Sequence, residues 1–526
     1  MTAVESPSRT EPLAVRVLSA LDRAGGEVVL VAGRRRVTGA ALAAQIRDGA
    51  AELAGAGVGP GTPVGFAGMP GADTLAALLS LRCVGACAVL LDPSSSAGVN
   101  RARMQAAGVQ LMWASWSVAA AAGPLRRLAA RRGIHLPALS DVAPHVAVFA
   151  VPRTLHGWRV PGLGGPLSRG LLTSPGPVPE AAIHPGDAVV IGTSGTTDAP
   201  RAVVHTESTL AATVDAIGAL VDAQPGERVL AGTFFAILPS LLAGARVHLP
   251  ARSPARTAAL VRRVRPGITY LTPPHIRDAL DAGARFTGRV YSGSAPVTAD
   301  LLGRMIASGA DEAFGVYALT EVAPVAAVSA QDKAAFAAAG TRGDLLGTPL
   351  PGVTVSADAG GQLLVEAPSM YDRYLHESAT EGGPRRVATG DLGRIADGRV
   401  VMHGRAKDMV LRRAENIYPG LYEPSLHVPG VRLAVLVGVP SADGDEQLVA
   451  LIEPEPGTDP TNLRHELRPA LDAMGAAAPD AVFFDVVPLA GRSQKPDRRT
   501  ASALCARLLT APAAAGTRPR SRRRAP

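Results

Sequence analysis

The sequence predicts an α/β fold in which a large parallel-sheet unit precedes a smaller α+β unit. Three observations carry the prediction. From Val28 to Pro93, and again from 186 to 300, short apolar runs alternate with stretches of helical period, the pattern of strand–helix–strand units. Beyond about residue 340 the runs become short and β-prone, and after Gly404 a mixture of strands and helices continues to about residue 505. The chain has 526 residues, 47% of them hydrophobic, which is ample for a core and more than one compact domain ordinarily holds.

The elements follow in order. Residues 1–12 read as a disordered N-terminus. Val28-Val29-Leu30-Val31 and Val37-Thr38 flank a turn at Arg34-Arg35-Arg36, and Ala41 to Gly55 has helical period. Pro63 to Ala67 reads as a buried strand, Asp73 to Gly85 as a helix and Ala88 to Pro93 as the next strand with its stop, all in one parallel sheet. Residues 94–180 are rich in Ala, Arg and Pro and predict only short elements. Leu210 to Leu220 and Thr257 to Val264 predict helices, and Ile268 to Leu271 and Val290 to Gly293 predict strands. Val353-Thr354-Val355, Gln362 to Glu366 and Arg399 to Met402 are the β-prone runs of the later region.

Composition narrows the class. Aromatic residues make up only 4%, so the core must be built of Ala, Val and Leu. Three cysteines cannot form a disulfide framework and point to a reducing compartment. Cys83 and Cys87, four apart, are expected on one helix face as core packing, not as zinc ligands. The N-terminus, with Glu5, Arg9 and Glu11, has no apolar signal core, and the uncharged run Ala231 to Ala245 contains Pro239 and is too short to span a membrane. The expectation is a soluble cytoplasmic protein; the sequence does not fix its oligomeric state. Net charge is +8, and Arg518, Arg520, Arg522, Arg523 and Arg524 supply a large share of it in a solvated tail, with no specific nucleic-acid partner expected. Lysine occurs only at Lys333, Lys407 and Lys495, so each lysine raises the question of what arginine could not do there.

One stretch organises the rest. Val189-Val190-Ile191 is a short apolar strand; Gly192-Thr193-Ser194-Gly195-Thr196-Thr197-Asp198-Ala199-Pro200-Arg201 follows, and Ala202-Val203-Val204 resumes the apolar pattern. Small residues let backbone N–H groups turn toward an anion, hydroxyls add donors, and Arg201 adds a permanent positive charge. This is the composition of a polyphosphate-holding loop, although a solvated loop between two strands has a similar one. It is not the nucleoside-triphosphatase P-loop, because no Gly-Lys-Ser/Thr follows. The wording resembles the Thr-Ser-Gly-x-Thr-Gly-x-Pro-Lys-Gly signature of the adenylate-forming (AMP-binding) superfamily, which includes acyl-CoA synthetases, luciferases and peptide-synthetase adenylation domains. Asp198 and Ala202 stand at glycine positions of that signature and Arg201 at its lysine.

Further stretches continue the resemblance in the superfamily's order. Ser292-Gly293-Ser294-Ala295-Pro296 is similar to the turn bordering the adenine and acyl pocket, so the backbone of Gly293, Ser294 and Ala295 is assigned there. Tyr317-Ala318-Leu319-Thr320-Glu321 resembles Tyr-Gly-x-Thr-Glu, which implies Tyr317 on adenine, Thr320 at the α-phosphate and Glu321 on Mg²⁺, a hard cation that takes oxygen ligands. Thr389-Gly390-Asp391 resembles the ribose-binding Thr-Gly-Asp. Gly404-Arg405-Ala406-Lys407-Asp408 resembles the Gly-Arg-x-Lys-Asp hinge, with Arg405 reaching ribose or phosphate and Lys407 and Asp408 at the swivel. The segment Pro488 to Arg498 resembles the closing motif whose lysine, here Lys495, reaches back to the reacting carboxylate and α-phosphate; Gln494 replaces its glycine.

The resemblance implies a large N-terminal domain of stacked α/β sheets plus a β-barrel-like subdomain over 13–403 and a hinge at 404–408. A small mobile α+β domain over 409–505 and a disordered Arg-rich tail over 506–526 would follow. It implies activation of a carboxylic acid with ATP and Mg²⁺ to an acyl-adenylate, then transfer to an acceptor, CoA by default. The segment Thr233 to Leu242 lies where the acyl pocket is lined and is wholly apolar, so the acid is expected to be apolar or aromatic. Its wording, and that of Thr320 to Val325, is closer to the branch that makes β-lactones. Arg413-Ala414 stands where thioester-forming relatives have Gly-Gly along the pantetheine arm. This leaves open a non-CoA nucleophile: the substrate's own 3-hydroxyl, an amine, or a small anion such as nitrite. Asp198 in a phosphate loop is the argument for a further alternative, a homologue that binds without turnover.

Overall fold

The computed structural model describes residues 11–92, 95–123, 125–131, 138–139, 145–147, 183–192, 201–377, 386–412, 415–441, 445–490 and 494–510. The residues 1–10, most of 132–182, the loop 193–200, Arg413-Ala414 and the tail 511–526 lie outside the described residues.

Two sheets stack with helices between and outside them. The seven-stranded sheet runs in the order Arg373–Tyr374, Ala202–Thr206, Asp187–Gly192, Cys87–Leu90, Pro63–Ala67, Leu111–Ala114, His145–Ala147. Its last five strands are parallel. The thirteen-stranded sheet begins at the antiparallel hairpin Arg35–Thr38 and Val28–Ala32. It continues in parallel through Arg246–His248, Arg228–Ala231, Ile268–Leu271, Arg289–Gly293 and Glu312–Tyr317. It then turns antiparallel at Ala326–Ser329 and runs through Asp344–Pro349, Arg399–Arg405, Val387–Ala396 and Gln362–Glu366 to Thr354–Ala357.

The helices Gly39–Gly55 and Ala72–Cys83 serve both sheets. Leu42, Ile46, Leu75 and Leu79 pack with Val229, Val247 and Ile268 of the larger sheet. Leu53, Ala77 and Leu81 pack with Val64, Trp113 and Ile191 of the smaller one. Thr38 fixes the start of the first helix by accepting the Ala41 N–H at 3.2 Å. The low aromatic content is met as expected: Val, Leu, Ile and Ala dominate the buried residues.

After residue 409 a three-stranded sheet, Val431–Pro440, Glu446–Pro454 and Ala481–Phe484, has its own two cores. Helix Pro460–Ala473 covers one face through Leu463 and Leu467, and helix Arg498–Thr510 covers the other through Ala501 and Cys505.

Several expectations are corrected. The early strand–helix alternation divides between sheets: Val28–Ala32 joins the larger, whereas Pro63–Ala67 and Cys87–Leu90 join the smaller. Cys83 and Cys87 do not share a helix face. Gly85, with φ of 73°, ends the helix, so Cys83 is its exposed last residue and Cys87 opens a buried strand. The later β-region is a continuation of the larger sheet; among the described residues no ladder closes it into a barrel. The last helix extends to Thr510, beyond the expected start of the tail. Among the described residues no helix is long and apolar enough to cross a membrane.

Candidate active site

The site lies where the larger sheet turns from parallel to antiparallel. Asp391 stands in strand Val387–Ala396, directly opposite Arg405 in Arg399–Arg405. Gly390, with φ of 72°, makes the bend before it, and the Asp391 N–H donates to Thr389 Oγ1 at 3.0 Å. The carboxylate is 1% exposed; it accepts from Tyr317 Oη at 2.6 Å and from Arg405 Nε at 2.9 Å. Burial, and then the Asp391 charge, push the Tyr317 hydroxyl well above its ordinary value, so it stays a donor. Burial opposes the Arg405 charge, but Asp391 and Asp408 outweigh it and push Arg405 up. A carboxylate offers about four lone-pair positions, so Asp391 keeps acceptor capacity beyond these two bonds.

Tyr317 ends its strand, and Thr320 and Glu321 follow in the turn. His205 Nε2 donates to the Thr320 carbonyl at 2.8 Å, and burial pushes this histidine down, keeping the ring neutral. The Glu321 carbonyl accepts the Tyr371 N–H at 2.7 Å, and its carboxylate faces Tyr374 Oη at 3.4 Å. Arg201 lies over the Tyr374 ring, 4.8 Å from its centroid. Hydrogen bonding to Tyr374 pushes Arg201 up, so the arginine at the signature's lysine position has a specific seat. His205, Tyr371 and Tyr374 had no motif around them. A lone histidine in an apolar strand, directly after the re-entry run Ala202-Val203-Val204, is the one sequence signal that pointed there.

The turn at 292–296 is tightly built. A Cβ on Gly293 would come within 2.8 Å of the Val316 carbonyl oxygen, and Ser294 holds φ of 72°, a left-handed conformation that favours glycine. Thr193 to Thr197 and Asp198 lie outside the described residues. The loop's ends are adjacent, because Gly192 and Ala202 are opposite each other in the ladder. Of the apolar segment from Thr233, Ala236, Ile237, Leu238 and Leu241 belong to the central core in helix Phe234–Leu242, which leaves Phe234 and Phe235 half-buried. That corrects the expectation that the whole segment lines a pocket.

Lys495 arrives from the far end of the chain in the short strand Lys495–Pro496, paired with Leu489–Ala490. Burial and repulsion from Arg405 hold its ammonium down to about 8, against the opposing pull of Asp391 and Glu321. Gln494 before it holds φ of 52°, so the residue at the motif's glycine keeps the glycine conformation. Ala406–Asp408 is a single 3-10 turn with Lys407 exposed. Arg498 donates to Asp408 at 3.0 Å and, in a fork, to Glu423 at 2.6 and 2.7 Å.

Among the described residues no three His, Cys, Asp or Glu side chains cluster for a metal. A lone Glu321 suits Mg²⁺, which is commonly held by one or two carboxylates together with substrate phosphates.

A buried aspartate thus stands among a half-buried tyrosine, glutamate, arginine and late lysine, beside the antiparallel part of the larger sheet. The AMP-binding enzyme family matches residues 19–375, and the chain belongs to this adenylate-forming family. It is 30% identical to the sulfoacetate–CoA ligase of Cupriavidus necator over 53% of this chain and 58% of that protein. It is also 30% identical to the olefin β-lactone synthetase of Xanthomonas campestris pv. campestris, over 56% of this chain and 61% of that protein. These matches span about three-fifths of each relative's length. The solved amide bond synthetase McbA of Marinactinospora thermotolerans superposes with a TM-score of 0.71 at 25% identity, covering 94% of this chain and all of that one.

Proposed function

We propose that the chain is an AMP-forming ligase that activates an apolar or aromatic carboxylic acid. The substrate carboxylate attacks the α-phosphorus of ATP, the bond from that phosphorus to the bridging oxygen breaks, and pyrophosphate leaves with the electron pair. The observation that carries the reading is the buried Asp391 carboxylate held by Tyr317 and Arg405, with Lys495, from the far end of the chain, within reach of its charge. A carboxylate is a weak nucleophile, so positioning and charge neutralisation must supply the rate. Lys495 bridges the attacking oxygen and the α-phosphate, Thr320 donates to that phosphate, and Asp391 holds the ribose. Mg²⁺ on Glu321 would supply neutralisation of phosphate charge. The turn at 404–408 then swivels the small C-terminal domain and withdraws Lys495 before transfer. Three free cysteines suit a cytoplasmic setting.

Exchange of labelled pyrophosphate into ATP with a panel of carboxylic acids tests the first half-reaction. Glu321→Gln should raise the Mg²⁺ requirement, and Asp391→Ala should weaken ATP binding in calorimetry. Unchanged binding in both variants removes those assignments.

The default acceptor is the CoA thiol. An amine is the second reading, supported by the likeness to an amide bond synthetase over that protein's full length; lactone closure by the acid's own 3-hydroxyl ranks third. One turned-over acid with ATP and Mg²⁺, alone, with CoA and with a panel of amines, separates them. CoA-dependent thioester at the rate of pyrophosphate release supports the thiol. AMP release without CoA, with an amide or dehydrated product, supports the others.

A further inference from the structure

Arg103 has no place in the machinery described so far. It stands in helix Ala97–Ala106 and is 4% exposed. Among the described residues none accepts a hydrogen bond from its Nε, Nη1 or Nη2. A guanidinium cannot shed its proton in a protein, and burying one without an acceptor is strongly unfavourable. Burial does push Arg103 down, and only the nearby Asp92 charge opposes that.

The side chain is held in one place. A Cβ on Gly192 would lie 2.2 Å from Arg103 Cζ, so the guanidinium rests directly on this glycine. Gly192 ends a strand that runs parallel to Cys87–Leu90, with Val89 opposite Val190. The guanidinium therefore sits beyond the carboxyl ends of two neighbouring parallel strands, where open α/β sheets bind their ligands. The helix is pinned to that edge by Asn100, which accepts the Asp92 N–H at 3.0 Å and donates to the Asp92 carbonyl at 2.7 Å.

We propose that Arg103 binds the β- and γ-phosphates of the nucleotide, and the pyrophosphate they become, at the end of strand Asp187–Gly192. The assignment rests on the adenylate-forming reading. It gives the departing pyrophosphate a fixed cation as the bond from the α-phosphorus breaks and the electron pair passes to the leaving oxygen. It also gives Gly192 a reason: any larger residue displaces the guanidinium.

Arg103→Met in the full chain tests this by calorimetry and thermal shift with Mg²⁺-pyrophosphate, ATP and AMP. The expected result is a melting temperature without ligand equal to or above that of the parent, a tenfold or greater loss of affinity for pyrophosphate and ATP, and unchanged affinity for AMP. Gly192→Ala, which keeps Arg103 but crowds its head group, should weaken pyrophosphate in the same direction. Pyrophosphate affinity equal to the parent's in both variants overturns the proposal. So does a lower melting temperature in Arg103→Met with pyrophosphate affinity intact, which would mark a structural side chain. Loss of carboxylic-acid binding with pyrophosphate unaffected would assign the guanidinium to the acid, and also overturns it. If the parent binds neither AMP nor pyrophosphate, the adenylate-forming reading itself fails and this one with it.

Discussion

To bridge two oxygens as proposed, Lys495 must be an ammonium, yet burial and Arg405 hold its proton at about 8 in the free protein. Its charged form is therefore complete well below that value and is lost as pH rises through it. We predict that kcat/KM for adenylate formation is flat toward neutral pH and falls above about 8, because that parameter reports groups of the free enzyme. Bound phosphates return charge to the amine, so the limb in kcat should lie at higher pH. Lys495→Ala should lower pyrophosphate exchange by about 10²–10³ and abolish the alkaline limb; a limb that persists belongs to another group. Lys333 answers the lysine question differently. It is 5% exposed and its Nζ lies 2.7 Å from Asp344, a compact ion pair in a narrow space. Lys333→Ala should destabilise the fold by no more than the lower end of the about 3–5 kcal/mol seen for broken buried pairs, since Asp344 keeps some solvent. Urea unfolding measures it. These lysines were conspicuous in the sequence because a chain so dominated by arginine makes them rare. Arg103 was invisible for the same reason, as one arginine among many.

At the scale of elements, the closing segment shows how a motif survives an altered letter. Gln494 adopts φ of 52° in place of the glycine, and a side chain in that region costs about 1 kcal/mol. Gln494→Gly should raise stability by about that amount, read as a higher urea midpoint at unchanged slope. A decrease would mean that the glutamine side chain contributes more than its backbone costs. The same logic explains what could be read beforehand. Thr389-Gly390-Asp391 and Gly404-Arg405 are short-range: the turn and the chemical group occupy adjacent positions, so the residues announce the geometry. The His205 bond to Thr320 and the Tyr374 seat for Arg201 join segments more than a hundred residues apart, and no local pattern encodes such pairs. Helix Phe234–Leu242 misled for another reason. An apolar run looks alike whether it lines a pocket or fills a core, and here most of it fills the core.

At the scale of the molecule, a network of arginines joins the C-terminal unit to the larger one. Arg432 binds Asp278 at 2.7 Å and also Asp281, while Arg304 binds Asp281 at 2.7 Å and reaches across to Glu455. Arg498 meanwhile anchors the 404–408 turn through Asp408. In the proposed reaction this network would keep Lys495 within reach of the Glu321 charge. Arg432→Ala should therefore slow adenylate formation several-fold and spare transfer from a preformed adenylate; equal slowing of both steps would refute the link. High salt should mimic the variant, because partly exposed pairs are screened. The boundary after Gly404 was legible from the hinge-like wording Gly404-Arg405-Ala406-Lys407-Asp408, whereas the shorter strands beyond residue 340 proved to continue the larger sheet. Which sheet each early strand joins was not legible, because period and burial pattern are alike in both stacked sheets.

The scarcity of lysine has a practical consequence. Lys333 is locked in its ion pair, Lys495 is half-buried, and Lys407 alone of the three stands exposed, on the turn joining the two units. A lysine-specific protease acting on the folded protein thus meets a single ready cut, which would release residues 1–407 from 408–526. The rate of that cut becomes a clock for the turn's motion, readable on a gel without any substrate in hand.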